Sequence, residues 1–245
     1  MKNIEPIKEL RVICQPRYEQ VKTNRFYRIY RRFFRIFSIY FTKILLYFNV
    51  SANIISISAL IFGIIGSLYF YYGKFLIGSL IMQLWFLADT LDGELARYYY
   101  KKNKKKNYLV KGEFLDLNSH HLIHSLMFIG LSLGLYNLYN NIGMIYFGIS
   151  SLFALLLNEL IDLNKIKVLF YESINKKIKI KLNKTKNNKS LLRRGMMIYT
   201  FPTIINIFLM GSLFNKIEYI LYFYGITFPL IVLTKFIINN FIRKW

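Results

Sequence analysis

The chain has a single cysteine, Cys14, so no disulfide can form within it. Acidic residues are also scarce: 12 Asp and Glu accompany 34 Lys and Arg, which gives a net charge of +22. No charged residue occurs from 44 to 73, and none from 117 to 158 when His is counted as neutral. No short apolar region follows the initial charges, so we expect no signal peptide and a retained amino terminus.

The long uncharged runs predict an all-α integral membrane protein with six transmembrane helices. About 20 helical residues cross a bilayer core of about 30 Å, so the first run holds one span and the second holds two. Clustered Asn and Gly at 136–143 predict the turn within the second run. The remaining spans are predicted at 75–97, 196–215 and 219–242.

Positive charge is concentrated on one side of this predicted bundle. Eleven Lys and Arg precede residue 44, seven lie between 97 and 111, eleven between 165 and 194, and three from 235 onward. Only Lys74 and Lys216 lie on the opposite side. The positive-inside bias therefore predicts a cell-membrane protein with both termini in the cytoplasm. The basic stretches near 98–111 and 163–195 are interpreted as solvated cytoplasmic loops, with attraction of anionic lipids as a less specific alternative.

An amphipathic segment, residues 1–43, precedes the transmembrane domain, residues 44–245. Aromatic residues recur at helical spacing from Phe26 to Phe41, and arginines fall largely between them. Such a helix suits the membrane surface, where rings are buried and arginines meet lipid phosphates. Nucleic-acid binding is the alternative, but no recognition module accompanies these residues, so no nucleic-acid partner is expected.

The segment DTLDGELAR, 89–97, places two aspartates at the end of an apolar span. At about 100° per residue, one helix face carries Asp89, Asp92, Gly93, Ala96 and Arg97. Charge in such a place is costly and usually functional. The two carboxylates can hold a cation, while Gly93 and Ala96 leave room for a substrate to approach closely.

A second stripe follows on the next predicted helix, where Gly112, Asp116 and His120 recur every four residues. Hard divalent ions such as Mg²⁺ take carboxylate oxygens and share their other positions with substrate phosphates. Any one of these aspartates could instead be interfacial, but their combined spacing favours a site. Glu94 lies on another face and is expected to snorkel to the membrane surface, while Glu113 is kept as a reserve ligand.

At these residues the sequence resembles the CDP-alcohol phosphotransferase family, class I. Its signature is Asp, two residues, Asp-Gly, two residues, Ala-Arg, a spacer, Gly, three residues, Asp, three residues, Asp. The segment 89–97, Gly112 and Asp116 match in order and spacing, but His120 stands where the family has its fourth aspartate. The segment NVSANIIS, 49–56, is also similar to the family's Pro-Asn-hydrophobic-Thr start of the first span, with Ala52 replacing the proline.

The resemblance implies transfer of a substituted phosphate group from CDP-diacylglycerol or a CDP-alcohol to a hydroxyl acceptor, releasing CMP, in phospholipid or related lipid or glycan biosynthesis. It implies two Mg²⁺ or Mn²⁺ ions, with the metal ligands Asp89, Asp92, Asp116 and His120. It further implies catalysis by Asp116 and His120, with His120 taking the acceptor proton. Substrate contacts are expected from Gly93, Ala96, Arg97 and Gly112. Family members commonly form homodimers, although no strong small-residue interface is evident in the sequence.

Several alternatives stay open. Arg193 and Arg194, at the start of the fifth span, either bind a phosphate of the acceptor or a lipid, or simply flank the span. His120 is a base or ligand, a packed polar residue, or the mark of an inactive homologue that only binds membrane lipid. For His124, one turn further, packing is the leading interpretation, and His121 points elsewhere. An intramembrane polyprenyl transferase would need two aspartate-rich clusters, and one is visible.

Overall fold

The computed structural model describes residues 4–15, 25–103, 107–175 and 198–242, where all regular structure is helical. Inside these ranges the description omits the side chains of 25–32, 103, 107–113, 115–116, 169, 172–175, 240 and 242. The helices are α1 Ile7–Cys14, α2 Arg25–Tyr47, α3 Ala52–Tyr71, α4 Phe75–Asn103, α5 Asn107–Tyr139, α6 Gly143–Asn175, α7 Phe201–Leu213 and α8 Ile217–Ile237. A π-helical segment, Ile238–Ile242, extends α8.

Five of these helices are long and apolar enough to cross a membrane, which supports the prediction of an all-α integral membrane protein. The apolar stretches are Ala52–Tyr71, Phe75–Lys102, Leu117–Tyr139, Gly143–Val168 and Ile217–Ile237. Helix α7 is also apolar but has 13 residues, which at 1.5 Å per residue is about 20 Å. The span predicted at 196–215 begins outside the described residues, so the sixth span stays a prediction.

Left-handed turns end several helices. Asn49, Gly73 and Asn215 have φ angles of 54°, 72° and 51°, a conformation that glycine and asparagine tolerate best. In each turn the next N–H bonds the carbonyl five residues earlier, as Lys74 N does to Tyr69 O at 2.9 Å. Asn140, with φ 47°, follows the end of α5, which confirms the turn predicted at 136–143.

The helices extend into both predicted basic loops. Helix α4 continues to Asn103 and α5 begins at Asn107, so most of the stretch predicted as a loop near 98–111 is helical. Helix α6 likewise reaches Asn175, inside the stretch 163–195. Lysine is a good helix former, so a basic stretch is no signal for a helix end. The end of α4 is also held by contacts of Tyr98 and Lys102 with Glu5.

Helix α3 packs against both α4 and α5. A Cβ atom added to Gly134 of α5 would lie 1.9 Å from the carbonyl oxygen of Phe70, and one added to Gly130 would lie 2.4 Å from that of Ser67. Only glycine permits two backbones to approach this closely. Small residues therefore allow α3 and α5 to pack closely within the chain, while the homodimer stays a prediction.

Two hydrophobic cores hold the bundle together. The larger is rich in buried aromatic side chains, among them Trp85, Phe128 and Phe208. The smaller joins α1 and α2 to the end of α4 through residues such as Leu10 and Leu95. This second core places the N-terminal segment against DTLDGELAR.

Several aromatic residues of helix α2 lie on the outside of the bundle. Phe33, Phe37 and Phe41 are each about half exposed, whereas Ser38 and Thr42 are fully buried against the rest of the protein. Helix α2 covers the predicted stretch from Phe26 to Phe41, and its inward face is mixed, since apolar Ile39 is buried beside Ser38 and Thr42. Its amphipathic character stays a prediction. Its location at the membrane surface stays a prediction.

Candidate active site

Asp92 lies on the face of α4 that contacts α3. Its side chain is buried, and Ser56 of α3 donates a hydrogen bond to Oδ2 at 2.7 Å. Ser56 is the last residue of the segment 49–56, so two separate sequence motifs meet here. Because the Ser56 hydroxyl is neutral, this bond alone does not offset the charge of a buried carboxylate.

Asp89 lies one turn earlier on α4 and contacts α5. Its Oδ1 atom is 2.5 Å from Nε2 of His120, and the two side chains are 20% and 28% exposed. The structure thus brings two of the predicted site residues into direct contact. A carboxylate in this position orients an imidazole.

For four other predicted site residues, the structure does not describe the side chain. Gly112 and Asp116 belong to α5, two turns and one turn before His120, but the description omits their side chains. Arg193 and Arg194 lie outside the described residues. Their roles stay predictions.

The aspartates fit a hard divalent cation better than His120 does. Mg²⁺ and Mn²⁺ prefer carboxylate oxygens to imidazole nitrogens. His120 Nε2 is hydrogen-bonded to Asp89 Oδ1 at 2.5 Å, and its role as a metal ligand stays a prediction. Among the described residues, no group of three or more His, Cys, Asp or Glu is arranged to hold a metal ion.

A second cluster of titratable residues lies beside this pair, centred on Glu159 of α6. Nδ1 of His121 is in hydrogen-bond contact with Oε2 of Glu159, and Nδ1 of His124 lies 3.3 Å from Oε1. His124 is buried and stacks on Phe201 with ring centroids 3.6 Å apart, which fits a packing role. Glu159 was not predicted as a site residue, although it is the first charged residue after the uncharged run 117–158.

Trp85 forms an apolar wall next to His120. Its ring is 1% exposed and meets the His120 ring edge-on, with centroids 5.0 Å apart. It also contacts Phe201, with ring centroids 4.7 Å apart. Trp85 precedes Asp89 by one helical turn, so the position of Asp89 on the helix could have identified it.

Glu94 is fully buried, so the expectation that it snorkels is wrong. Its carboxylate accepts three hydrogen bonds, from Gln15 Nε2 at 2.8 Å, Ser38 Oγ at 2.6 Å and Thr42 Oγ1 at 2.6 Å. These donors belong to the N-terminal segment and to α2. The periodicity of α4 alone therefore gave no sign of them.

Arg97 is hydrogen-bonded to the backbone of the N-terminal segment. Its Nε donates to the carbonyl oxygen of Cys14 at 2.6 Å, which satisfies a carbonyl at the end of α1. A Cβ atom added to Gly93 would lie 3.3 Å from Nη1 of Arg97. Gly93 therefore gives space to the guanidinium of this chain, in addition to any predicted contact with a substrate. Ala96, on the same face, is partly exposed.

Comparison with known protein families and with curated protein sequences finds no match to this chain.

Proposed function

We propose that this chain is a membrane-embedded CDP-alcohol phosphotransferase, which moves a substituted phosphate group from a CDP-linked donor to a hydroxyl acceptor and releases CMP. The observation that supports it best is the meeting of three helices at DTLDGELAR. There Ser56 of α3 bonds Asp92, and His120 of α5 bonds Asp89. Carboxylates one turn apart, beside a glycine, suit the cations that accompany a diphosphate.

The aspartates would act as cation ligands. Asp89, Asp92 and Asp116 would hold two Mg²⁺ or Mn²⁺ ions, whose chemistry is the neutralisation of charge on the donor diphosphate. Hydrogen bonds from His120 and Ser56 fix two of these carboxylates before a substrate arrives. Such outer contacts orient metal ligands and are costly to lose.

His120 would take the proton of the acceptor hydroxyl. Asp89 holds the imidazole by hydrogen bonding, and Trp85 packs against its ring, so the side chain is oriented by two neighbours. An imidazole takes up a proton near neutral pH, which suits a general base for an alcohol. The contact with Asp89 also motivates the alternative, a non-catalytic homologue that binds membrane lipid, because it occupies one oxygen of a predicted metal ligand.

The membrane arrangement is part of the proposal. We propose six spans in the cell membrane, with α7 belonging to the fifth, α2 at the interface, and the termini and active site facing the cytoplasm. Lys and Arg are concentrated at the proposed cytoplasmic side. We also propose a homodimer, which crosslinking of the protein in native membranes would test.

The decisive experiment is CMP release by the purified protein with a panel of CDP-linked donors and alcohol acceptors, in Mg²⁺ or Mn²⁺. We expect release with at least one donor, loss on chelation, and loss in Asp92→Asn. Glu218→Gln is the control, because Glu218 is a partly exposed carboxylate in the first turn of α8 and should retain activity. A folded protein that releases no CMP with any donor, or an Asp92→Asn variant with normal release, would overturn the proposal.

A further inference from the structure

The N-terminal segment Glu5 to Gln15, here called the N-terminal clamp, holds the end of α4 through polar contacts spread over more than two helical turns. Gln15 bonds Glu94 at 2.8 Å, and the Cys14 carbonyl accepts from Arg97 at 2.6 Å. At the other end of the clamp, Glu5 accepts from Tyr98 at 2.7 Å and pairs with Lys102 at 3.0 Å.

Glu94 joins the clamp to two helices at once. The amide nitrogen of Gln15 also donates to the backbone oxygen of Arg35 at 2.9 Å, so the clamp, α2 and α4 meet at this side chain. The Glu94 carboxylate is 0% exposed. Removing it would leave buried donors unsatisfied, which costs more than the net contribution of one hydrogen bond.

The clamp also sets the position of Arg97. The guanidinium of Arg97 lies over Gly93, which is next in sequence to Asp92. It is fixed there by a hydrogen bond to the Cys14 carbonyl. A shift of α1 would therefore move the hydrogen-bond partner of an arginine that belongs to the predicted site. Glu94, between Gly93 and Arg97 in sequence, is the buried anchor of this arrangement.

We propose that Glu94 is the positioning residue through which the N-terminal clamp fixes Arg97 for binding of the donor. Its effect on turnover rests on the proposed phosphotransferase function. Docking of the clamp can be measured without an activity assay, because Cys14 lies on the clamp and its accessibility reports on docking. This thiol is the only one in the chain and is 0% exposed.

Two substitutions at Glu94 separate geometry from simple loss of a charge. Glu94→Gln keeps an oxygen for Gln15 and Ser38, and its new amide can donate to the Thr42 hydroxyl, which has acceptor capacity. Glu94→Ala removes all three contacts. Glu9→Ala is the control, since Glu9 is an exposed carboxylate on the same clamp.

The first measurement is the rate of Cys14 labelling by a maleimide in the folded full-length protein at neutral pH. We expect Glu94→Ala to raise the rate by about tenfold or more, because local opening exposes the thiol. Glu94→Gln and Glu9→Ala should label as slowly as the unmodified chain. Equal protection of Cys14 in Glu94→Ala would overturn the docking role.

The second measurement is the donor KM and kcat for CMP release in the same variants. We expect Glu94→Ala to raise the donor KM by about tenfold with a smaller change in kcat, as for lost binding, and Glu94→Gln to restore it. If Cys14 labels faster in Glu94→Ala but the donor KM is unchanged, the positioning of Arg97 is overturned and the docking role stands. If the unmodified chain releases no CMP with any donor, the proposed function and the positioning of Arg97 both fall, while labelling still decides the docking.

Discussion

Oδ1 of Asp89 lies 2.5 Å from Nε2 of His120, so the residue that departs from the family signature contacts the first residue of that signature. Two carboxylates at this distance would repel each other unless a proton or a cation lay between them. A carboxylate and an imidazole can instead share a proton directly. His120 therefore joins α4 and α5 through a hydrogen bond to Asp89.

Replacing His120 should separate the catalytic interpretation from the inactive one. We expect His120→Asn to lower the rate of CMP release by about 10² to 10⁴, the usual contribution of a general base. His120→Asp should recover part of that loss, since it restores the aspartate of the signature. Rates are measured at saturating donor and metal. Normal turnover in His120→Asn would remove the base from the mechanism.

Removing the hydroxyl that supports Asp92 should weaken metal binding. In Ser56→Ala, the metal concentration for half-maximal CMP release should rise about 10- to 100-fold, as for other outer contacts of metal ligands. Ser58→Ala is the matched control, because the Ser58 hydroxyl bonds the carbonyl of Ile54 in its own helix. Equal metal requirements in the two variants would contradict a supporting role for Ser56.

The parts of the fold that depend on the sequence of a single helix or turn were predictable. Uncharged runs indicated the apolar helices, and the Asn and Gly cluster indicated the turn at Asn140. The extensions of α4 and α6 were not predictable from charge, because lysine favours helices as well as loops. The close packing of Gly134 depends on which helix lies opposite, and periodicity along one chain segment carries no such information.

Gly134 should not tolerate a side chain. We expect Gly134→Ala to lower the free energy of unfolding by about 1–3 kcal/mol, the usual cost of overpacking, because its Cβ atom would meet the backbone of Phe70. Gly143→Ala is the control, since the nearest atoms there belong to side chains. Thermal unfolding in detergent measures both. Similar melting temperatures for the two variants would argue against close contact of α3 and α5.

Glu5 should stabilise the protein at neutral pH but not in acid. Burial raises the pKa of Glu5, but hydrogen bonds from Tyr98 and Lys102 outweigh it and bring the pKa below 4.5. A lowered pKa contributes stability above the unfolded value, and this is lost as the pH falls through the folded value. The free energy of unfolding of the unmodified chain should exceed that of Glu5→Gln by about 0.5 kcal/mol at neutral pH, as for a partly exposed ion pair. Thermal unfolding measured well below pH 4.5 should show no difference between the two proteins. A difference that persisted there would contradict an ionic origin.

The candidate site was predictable in part. Helical phasing placed Asp89 and Asp92 on one face, and both contact neighbouring helices there. The buried partners of Glu94 come from segments about 50 to 80 residues away in sequence, so phasing within α4 could not distinguish a buried carboxylate from an exposed one. Glu159 was missed for the same reason, since its contacts to His121 and His124 cross between helices.

The connections 72–74, 140–142 and 214–216 each leave three residues between successive helices. A Cβ atom on Gly73 would contact Leu138 at 3.2 Å, so the first two turns lie at one end of the bundle. Asn141 reaches Tyr222, near the start of the helix that follows the third turn. A protease or an antibody restricted to that end therefore has access to tight turns instead of flexible chain. Limited digestion of intact membranes from that side should leave the polypeptide uncut.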